Sequence, residues 1–148
     1  GSRRLADVQL AVWIDRHRLG FSFYIGDYAA IPRGRFLRSL ARHRAELPGL
    51  LADLLAEPRI QRAWNGETAL DEDGRITARR PMSWDEWLDD PSAGDFWAYL
   101  ALTPAEALET PPEDLAALAA RTHAAFFPLA LLAMEDEPLP VIRAYLGM

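Results

Sequence analysis

The spacing of apolar and polar residues predicts a helix near the middle of the first half of the chain, within residues 32–56. At about 100° per residue, its apolar positions fall on one side and its arginines on the other. The apolar side carries Phe36, Leu40, His43 and Leu47. Pro48 favours the first turn of a second short helix, because proline fits there and disrupts a helix interior. The pattern therefore predicts one buried stripe, with His43 as a core residue, and one solvent-facing arginine stripe.

Two runs before this helix predict an antiparallel hairpin. Residues 7–15 are rich in β-branched and aromatic side chains, and residues 21–26 alternate with Phe21, Phe23 and Ile25 on one face. The polar residues 16–18 separate the two runs. A helix over residues 3–15 is the alternative, because the apolar residues there also fit a helical period.

The second half of the chain predicts a hairpin, a short helix and a buried strand, followed by two more helices. Residues 61–80 contain two turn signals and favour a small polar hairpin. Its acidic turn resembles the start of a calcium loop, but Met82 stands where the closing glutamate would be, so a calcium site is not expected. A capping box predicts a short helix after Ser83. The apolar run 96–102 favours a buried central strand.

Two helices are predicted after that strand, beginning near Thr103 and Thr110. The second runs to about Met134 with a kink at Pro128, and its apolar stripe is predicted to be buried. The members of that stripe are Leu115, Leu118, Thr122, Phe126 and Leu129. This order of elements predicts an α+β fold, with a mainly antiparallel sheet and helices packed on one face.

The length of 148 residues suits one domain with a substantial core. Residues 1–2 resemble a cloning scar, residues 3–134 are predicted to form a single module, and residues 135–148 are predicted to be a linker or the start of a next domain. The longest apolar run, residues 124–134, is too short to cross a bilayer. No membrane is therefore expected, and a cytoplasmic location is predicted.

Composition excludes several kinds of chemistry from this stretch of sequence. The chain has no cysteine, and all 16 of its basic residues are arginine. Thiolate nucleophiles, cysteine zinc sites, Schiff-base lysines and phosphate-binding P-loops are therefore excluded. The three histidines share no metal-ligand spacing. We expect no catalytic residues, no metal, no cofactor and no enzyme activity in this chain.

Charge is unevenly distributed along the sequence. Residues 1–62 hold 11 arginines against six acidic residues, whereas residues 81–148 hold two arginines against 12 acidic residues. Guanidinium groups bind phosphate oxygens well, so the basic half predicts a DNA-binding surface. The predicted DNA contacts are Arg33, Arg35, Arg38, Arg42, Arg75, Arg79 and Arg80. Arg16 and Arg18 form a further basic patch. For the arginine stripe of the first helix, the alternative interpretation is a solvated helix face with no binding role.

Five tryptophans and four tyrosines are many for this length. Most are expected to pack in the core, and Trp97, inside an apolar run, is assigned there. Those beside polar turns could instead line a pocket that stacks a flipped base. The residues proposed for such a pocket are Trp64, Trp84, Trp87 and Tyr28.

Three stretches together resemble one family. They are DVQLAVWIDRHRLGFSFYIGDY, RGRFLRSLARHRAELPGLL and FFPLALLAMEDEPLPVIRAYLG. The last is similar to the segment that precedes the ATPase core of bacterial McrB-type AAA+ proteins. The resemblance implies a DNA-recognition module of a modification-dependent restriction or phage-defence system. It also implies three partners, which are double-stranded DNA, a motor domain in the same chain and a nuclease subunit. The alternative is a protein-interaction module that docks the motor or nuclease and does not contact DNA.

Overall fold

The structure, a computed structural model, describes residues 7–26, 28–64, 68–70, 72, 76–78, 86 and 96–148. A four-stranded sheet in the order β1-β2-β6-β3 forms its centre, and every neighbouring pair is antiparallel. These strands are β1 (Val8–Ile14), β2 (Leu19–Ile25), β3 (Gln61–Trp64) and β6 (Phe96–Leu102). A separate antiparallel pair joins β4 (Thr68–Leu70) to β5 (Ile76–Ala78). The predicted α+β fold with a mainly antiparallel sheet is confirmed.

Six helices of the described residues complete the fold, three of them between β2 and β3 and three after β6. The helices are α1 (Ala30–Arg42), α2 (Leu47–Leu50), α3 (Ala52–Leu55), α4 (Pro104–Glu109), α5 (Pro112–Met134) and α6 (Pro138–Leu146). Helix α5 is the longest and packs against α1, β1 and β2. Pro48 lies in the first turn of α2, as its restricted backbone predicts.

The hydrophobic core lies between the sheet and the helices. Phe23, Phe36 and Phe96 are fully buried and join β2, α1 and β6. The Phe36 ring centroid lies 5.6 Å from that of Phe23 and 5.1 Å from that of Phe96. These distances are within the range of favourable aromatic pairs. The predicted apolar side of α1 is confirmed, since Leu40, Leu47 and His43 are buried as well.

The first strand corrects one alternative and one boundary. Val8–Ile14 forms strand β1, so a helix over residues 3–15 is wrong for the residues that the structure describes. Strand β2 begins at Leu19 and pairs with β1 through Leu19 and Gly20, two residues earlier than predicted. The long cross-strand pairing outweighs the turn preference of glycine at that position.

Helix α5 meets its predicted pattern. Leu118, Thr122, Phe126 and Leu129 are buried, and Leu115 is partly buried. An 18-residue window of this helix has a mean hydropathy of 1.5, so its length and composition alone would suit a bilayer. Its apolar stripe is instead packed on the sheet. The core helix of a layered fold can have the same length and hydropathy.

The segment after α5 packs on the same core. Helix α6 contacts α5, and Ile142 is fully buried in the core cluster. Residues 138–146, predicted as part of a linker or a next domain, are thus attached to the α+β unit in this structure. Directly after β6, Thr103 and Glu106 form a capping box at the start of α4, where the sequence predicts that a helix begins.

Candidate functional site

The arginine stripe of α1 lies beside the acidic connection between α5 and α6. The Nε of Arg35 donates to Oδ1 of Asp136 at 2.7 Å, and an Nη of Arg42 donates to Oε1 of Glu137 at 3.1 Å. Both carboxylates are exposed, with side-chain exposures of 79% and 69%. Two predicted DNA contacts are therefore held in ion pairs within the chain, and these ion pairs remain open to solvent.

The other two predicted contacts on α1 differ in their surroundings. The guanidinium of Arg33 lies 5.3 Å from the ring centroid of Phe96, within cation–π range. Arg38 is exposed. A pocket of about 120 Å³ on this face is lined by Arg35, Arg38, Ser39, Arg42, His43, Glu135 and Asp136. The structure thus brings Arg35, Arg38 and Arg42 onto one face, as the helical spacing predicts.

The remaining predicted site residues are not brought to this face by the described part of the chain. Arg75, Arg79, Arg80, Trp84 and Trp87 lie outside the described residues. The backbone of Trp64 ends strand β3, and its side chain is likewise outside the description. Tyr28 is 79% exposed just before α1. The hairpin patch and the base pocket therefore stay predictions.

The outer face of the sheet carries an aromatic cluster that the sequence analysis did not assign. The stacked rings of Trp97 and Tyr99 have centroids 4.3 Å apart. The ring centroid of Trp13 lies 6.3 Å from that of Trp97 and 6.2 Å from that of Tyr99. Its indole Nε1 donates to Oγ of Ser22 at 3.1 Å. Trp97 is thus only partly buried, and it packs on the face opposite the helices rather than in the main core.

Arg18 completes this cluster instead of forming a free basic patch. Its guanidinium carbon lies 4.0 Å from the Trp13 ring centroid, and its Nε lies 3.2 Å from Oδ2 of Asp15. Desolvation acts to raise the pKa of Asp15, but the His17 amide and Arg18 together outweigh it and lower that pKa. Burial raises the pKa of Tyr99 to about 12. The cluster is a packed structural element on the sheet.

A groove lies on the helical side of the sheet, between α2, α3, α5 and α6. This groove has a volume of about 790 Å³. Its floor and walls are mainly apolar, and its side chains include those of Leu50, Leu54, Leu118 and Pro128. Small side chains at Ala124 and Ala125 leave space on the α5 wall. The volume is within the range of ligand and peptide sites in proteins.

A proline shapes the wall of the groove formed by α5 and α6. Pro128 lies inside α5 and has no amide hydrogen, so the carbonyl of Ala124, four residues earlier, lacks its helical donor. The hydroxyl of Tyr145 donates to this carbonyl at 3.0 Å. The Tyr145 ring also packs on Phe127, with centroids 4.9 Å apart. Helix α6 is thereby attached at the point where α5 has a free acceptor.

The charges that line the groove are few and mostly negative. Asp53 and Glu57 come from the α3 side, and Arg121 comes from α5. The side chain of Arg59 donates to Glu57 and lowers the pKa of that carboxyl. The Glu57 carboxyl is therefore charged at neutral pH. The sequence analysis did not identify this groove, because the alanines and the proline of α5 are equally typical of ordinary helix packing.

The described residues contain no group of three or more histidine, cysteine or acidic side chains placed to hold a metal. We thus find two surfaces with binding character, the arginine face of α1 and the groove. Comparison with protein-family models, with curated proteins and with solved structures returned no match. The resemblance to McrB-type proteins accordingly stays a prediction from the sequence.

Proposed function

We propose that this chain is a non-enzymatic protein-interaction module whose groove receives an amphipathic helix of a partner protein. The observation that carries the proposal is the apolar groove of about 790 Å³ bounded by four helices. Helix-in-groove recognition uses such a surface, with apolar side chains of the ligand helix spaced three and four residues apart.

The exposed residues of the groove support this occupant. Tyr145 is 43% exposed and Met148 is 73% exposed, although both are large and apolar. A contiguous apolar surface of this kind is typical of binding sites. Aromatic and methionine side chains are also enriched in protein interfaces. A ligand helix would cover these side chains together with the alanines of α5.

Charge indicates which helices fit best. The groove is lined by two carboxylates and one guanidinium, and Arg59 beside it pairs with Glu57, so exposed Asp53 is the acidic group that a ligand cation would meet on this rim. Complementary charge across an interface raises the association rate and suppresses wrong partners. We therefore expect a ligand helix with lysine or arginine flanking its apolar face.

The test uses two model peptides and one pair of chain variants. A labelled 18-residue helix with leucine on one face and lysine on the other is titrated with the full chain, and binding is followed by fluorescence anisotropy. A leucine–glutamate helix of the same length is the charge comparison. Ala124→Glu fills the groove with a charged side chain, whereas Ala116→Glu places the same change at an exposed position of α5, about two turns earlier, that does not line the groove.

The proposal expects saturable binding of the leucine–lysine helix that Ala124→Glu weakens by about 10-fold or more and Ala116→Glu leaves unchanged. Weaker binding of the leucine–glutamate helix would support the charge argument. Equal affinity for both alanine variants, or no saturable binding of either peptide, would contradict the groove as the site.

DNA binding through α1 is a second candidate, and it is favoured by one observation. Arg38 is exposed and the Arg42 side chain is 61% exposed, so both can reach a phosphate. Arg42 and its neighbour Arg35 pair with exposed carboxylates, and such surface ion pairs contribute only about 0–1 kcal/mol. A phosphate backbone could therefore replace these carboxylates at small cost.

The DNA test separates this candidate from the groove. Affinity for duplex DNA, with and without modified cytosine, is measured over a series of salt concentrations. Replacing Arg35, Arg38 and Arg42 together by alanine should reduce both affinity and salt dependence, with Arg143→Ala as the control. Unchanged affinity and salt dependence in the triple variant would exclude the α1 face. The Ala124→Glu variant should bind DNA normally.

The McrB-type context is a further proposal that concerns the parent gene. A motor domain in the same chain would be marked by a glycine-rich loop ending in Gly-Lys-Thr or Gly-Lys-Ser. Sequencing the gene beyond the codon for Met148 tests this directly. In that context the groove would be a docking site for the motor or the nuclease subunit.

A further inference from the structure

Strand β1 forms one end of the four-stranded sheet, and its outer edge is unpaired within the described residues. The amide of Asp15 donates to the carbonyl of Arg18 at 3.0 Å. The backbone N–H and C=O groups of the odd-numbered residues of β1 therefore point toward β2. The backbone groups of the even-numbered residues consequently point away from the sheet. The Asp7 carboxylate accepts the Val8 amide at 2.9 Å, in agreement with this orientation. The backbone groups of Leu10, Val12 and Ile14 form the rest of this outward-facing edge.

This edge lacks the features that normally prevent strand addition. The segment Val8–Ile14 contains no charged residue and no proline. On its helix-facing side, Val12 is 58% exposed and Ile14 is 79% exposed. Two β-branched apolar side chains are therefore left in solvent on a strand of seven residues whose outer edge pairs with no other strand among the described residues. Such an edge is suited to pairing with another strand.

We propose that two copies of this chain pair through their β1 edges and form one continuous eight-stranded antiparallel sheet. A two-fold axis normal to the sheet pairs each residue with a residue of the second copy on the same face. A two-fold interface of this kind is self-complementary, so both exposed apolar residues are used twice. This inference rests on β1 and is independent of the groove and of the α1 face.

Charge and apolar contact select one register. With Val12 on the axis, Ile14 lies opposite Leu10 of the second copy, and Asp7 lies opposite His17 of the second copy. With Ala11 on the axis, Asp7 would lie opposite Asp15 of the second copy, and like charges directly opposite are unfavourable. With Leu10 on the axis, Ile14 would gain no apolar partner from β1. The Val12-centred register is therefore the one we propose.

The oligomeric state of the full 148-residue chain is measured by sedimentation equilibrium over a concentration series. Val12→Lys places two ammonium groups at the axis and should raise the dimer dissociation constant by about 100-fold. Ile31→Lys is the matched control, because Ile31 is 69% exposed and lies on α1 rather than on the sheet. Circular dichroism confirms that both variants are folded.

A second pair of variants tests the register. The chain has no native cysteine, so Val12→Cys introduces one thiol. In the proposed register this thiol meets its own copy at the axis and cross-links on oxidation, whereas Ile14→Cys faces Leu10 and does not. A chain that is monomeric at all concentrations would overturn the proposal, as would a dimer that survives Val12→Lys. Equal cross-linking of both cysteine variants would overturn the register.

Discussion

Replacing Gly20 by alanine should destabilise the protein although the residue lies in a strand. A Cβ at Gly20 would overlap the indole of Trp13, which lies flat against the glycine backbone. The indole is held there by its hydrogen bond to Ser22 and by contacts with Trp97 and Tyr99. The new methyl group and the ring cannot share this space, so the ring must move.

The expected cost follows from the contacts that the ring would lose. The hydrogen bond contributes about 1 kcal/mol, and each aromatic contact contributes about 0.5–1.5 kcal/mol. The contact with Arg18 adds about 1 kcal/mol. Alanine alone would favour the strand over glycine by about 0.5–1 kcal/mol. If all these contacts are lost, Gly20→Ala should lower the free energy of unfolding by about 2–4 kcal/mol.

The assay is urea unfolding, followed by tryptophan fluorescence, of four proteins in a double-mutant cycle. They are the wild type, Gly20→Ala, Trp13→Ala and the double variant. Once Trp13 is absent, Gly20→Ala should be neutral or slightly stabilising, because nothing else is displaced. Gly49→Ala is the control, since a Cβ at Gly49 meets no atom within 4 Å. An equal loss from Gly20→Ala in both backgrounds would refute the steric explanation.

Four further predictions concern the core, the helix ends and pH. Phe36→Ala should cost about 3–5 kcal/mol in urea unfolding, because it empties the space between two aromatic neighbours, and a loss below about 1 kcal/mol would contradict its central position. Burial raises the pKa of Tyr99 to about 12. Its contribution to stability is therefore complete below the ordinary tyrosine value of about 10 and is lost as pH rises from there to about 12. Tyr99→Phe should abolish this loss, and an unchanged pH profile would argue against it. Thr103→Ala should cost about 1 kcal/mol through the capping box, with Thr103→Ser retaining most of the stability. A double-mutant cycle on Arg35 and Asp136 should give a coupling energy of about 0.5 kcal/mol that falls with added salt, and a coupling insensitive to salt would mean that the ion pair is shielded from solvent.

The sequence predicted the layers of this fold well, because hydrophobic periodicity reports burial directly. The apolar side of α1 and the stripe of α5 alternate with a helical period, and both are buried. The alternation of Phe21, Phe23 and Ile25 likewise identified the core face of β2. In each case one local pattern determines which side of an element must leave water.

Features that depend on contacts between distant residues were not predictable in the same way. Charge patterning identified the arginine face of α1, but its ion pairs join residues about 100 positions apart, and periodicity carries no such information. Arg18 shows the same limit, since its sequence neighbours indicate a basic patch and only the β1–β2 register places it on Trp13. The groove required the docking of α6 on α5, which no local pattern specifies.

The hydrogen bond from the Tyr145 hydroxyl to the Ala124 carbonyl can report how a ligand occupies the groove. A ligand that offers its own amide or hydroxyl to that oxygen competes with the tyrosine, and a ligand that merely fills the apolar floor does not. The first class of ligand would displace the Tyr145 hydroxyl from the Ala124 carbonyl, and the second class would leave that hydrogen bond intact. Removing the proline would erase the difference, because an alanine at position 128 would return the oxygen to the backbone ladder.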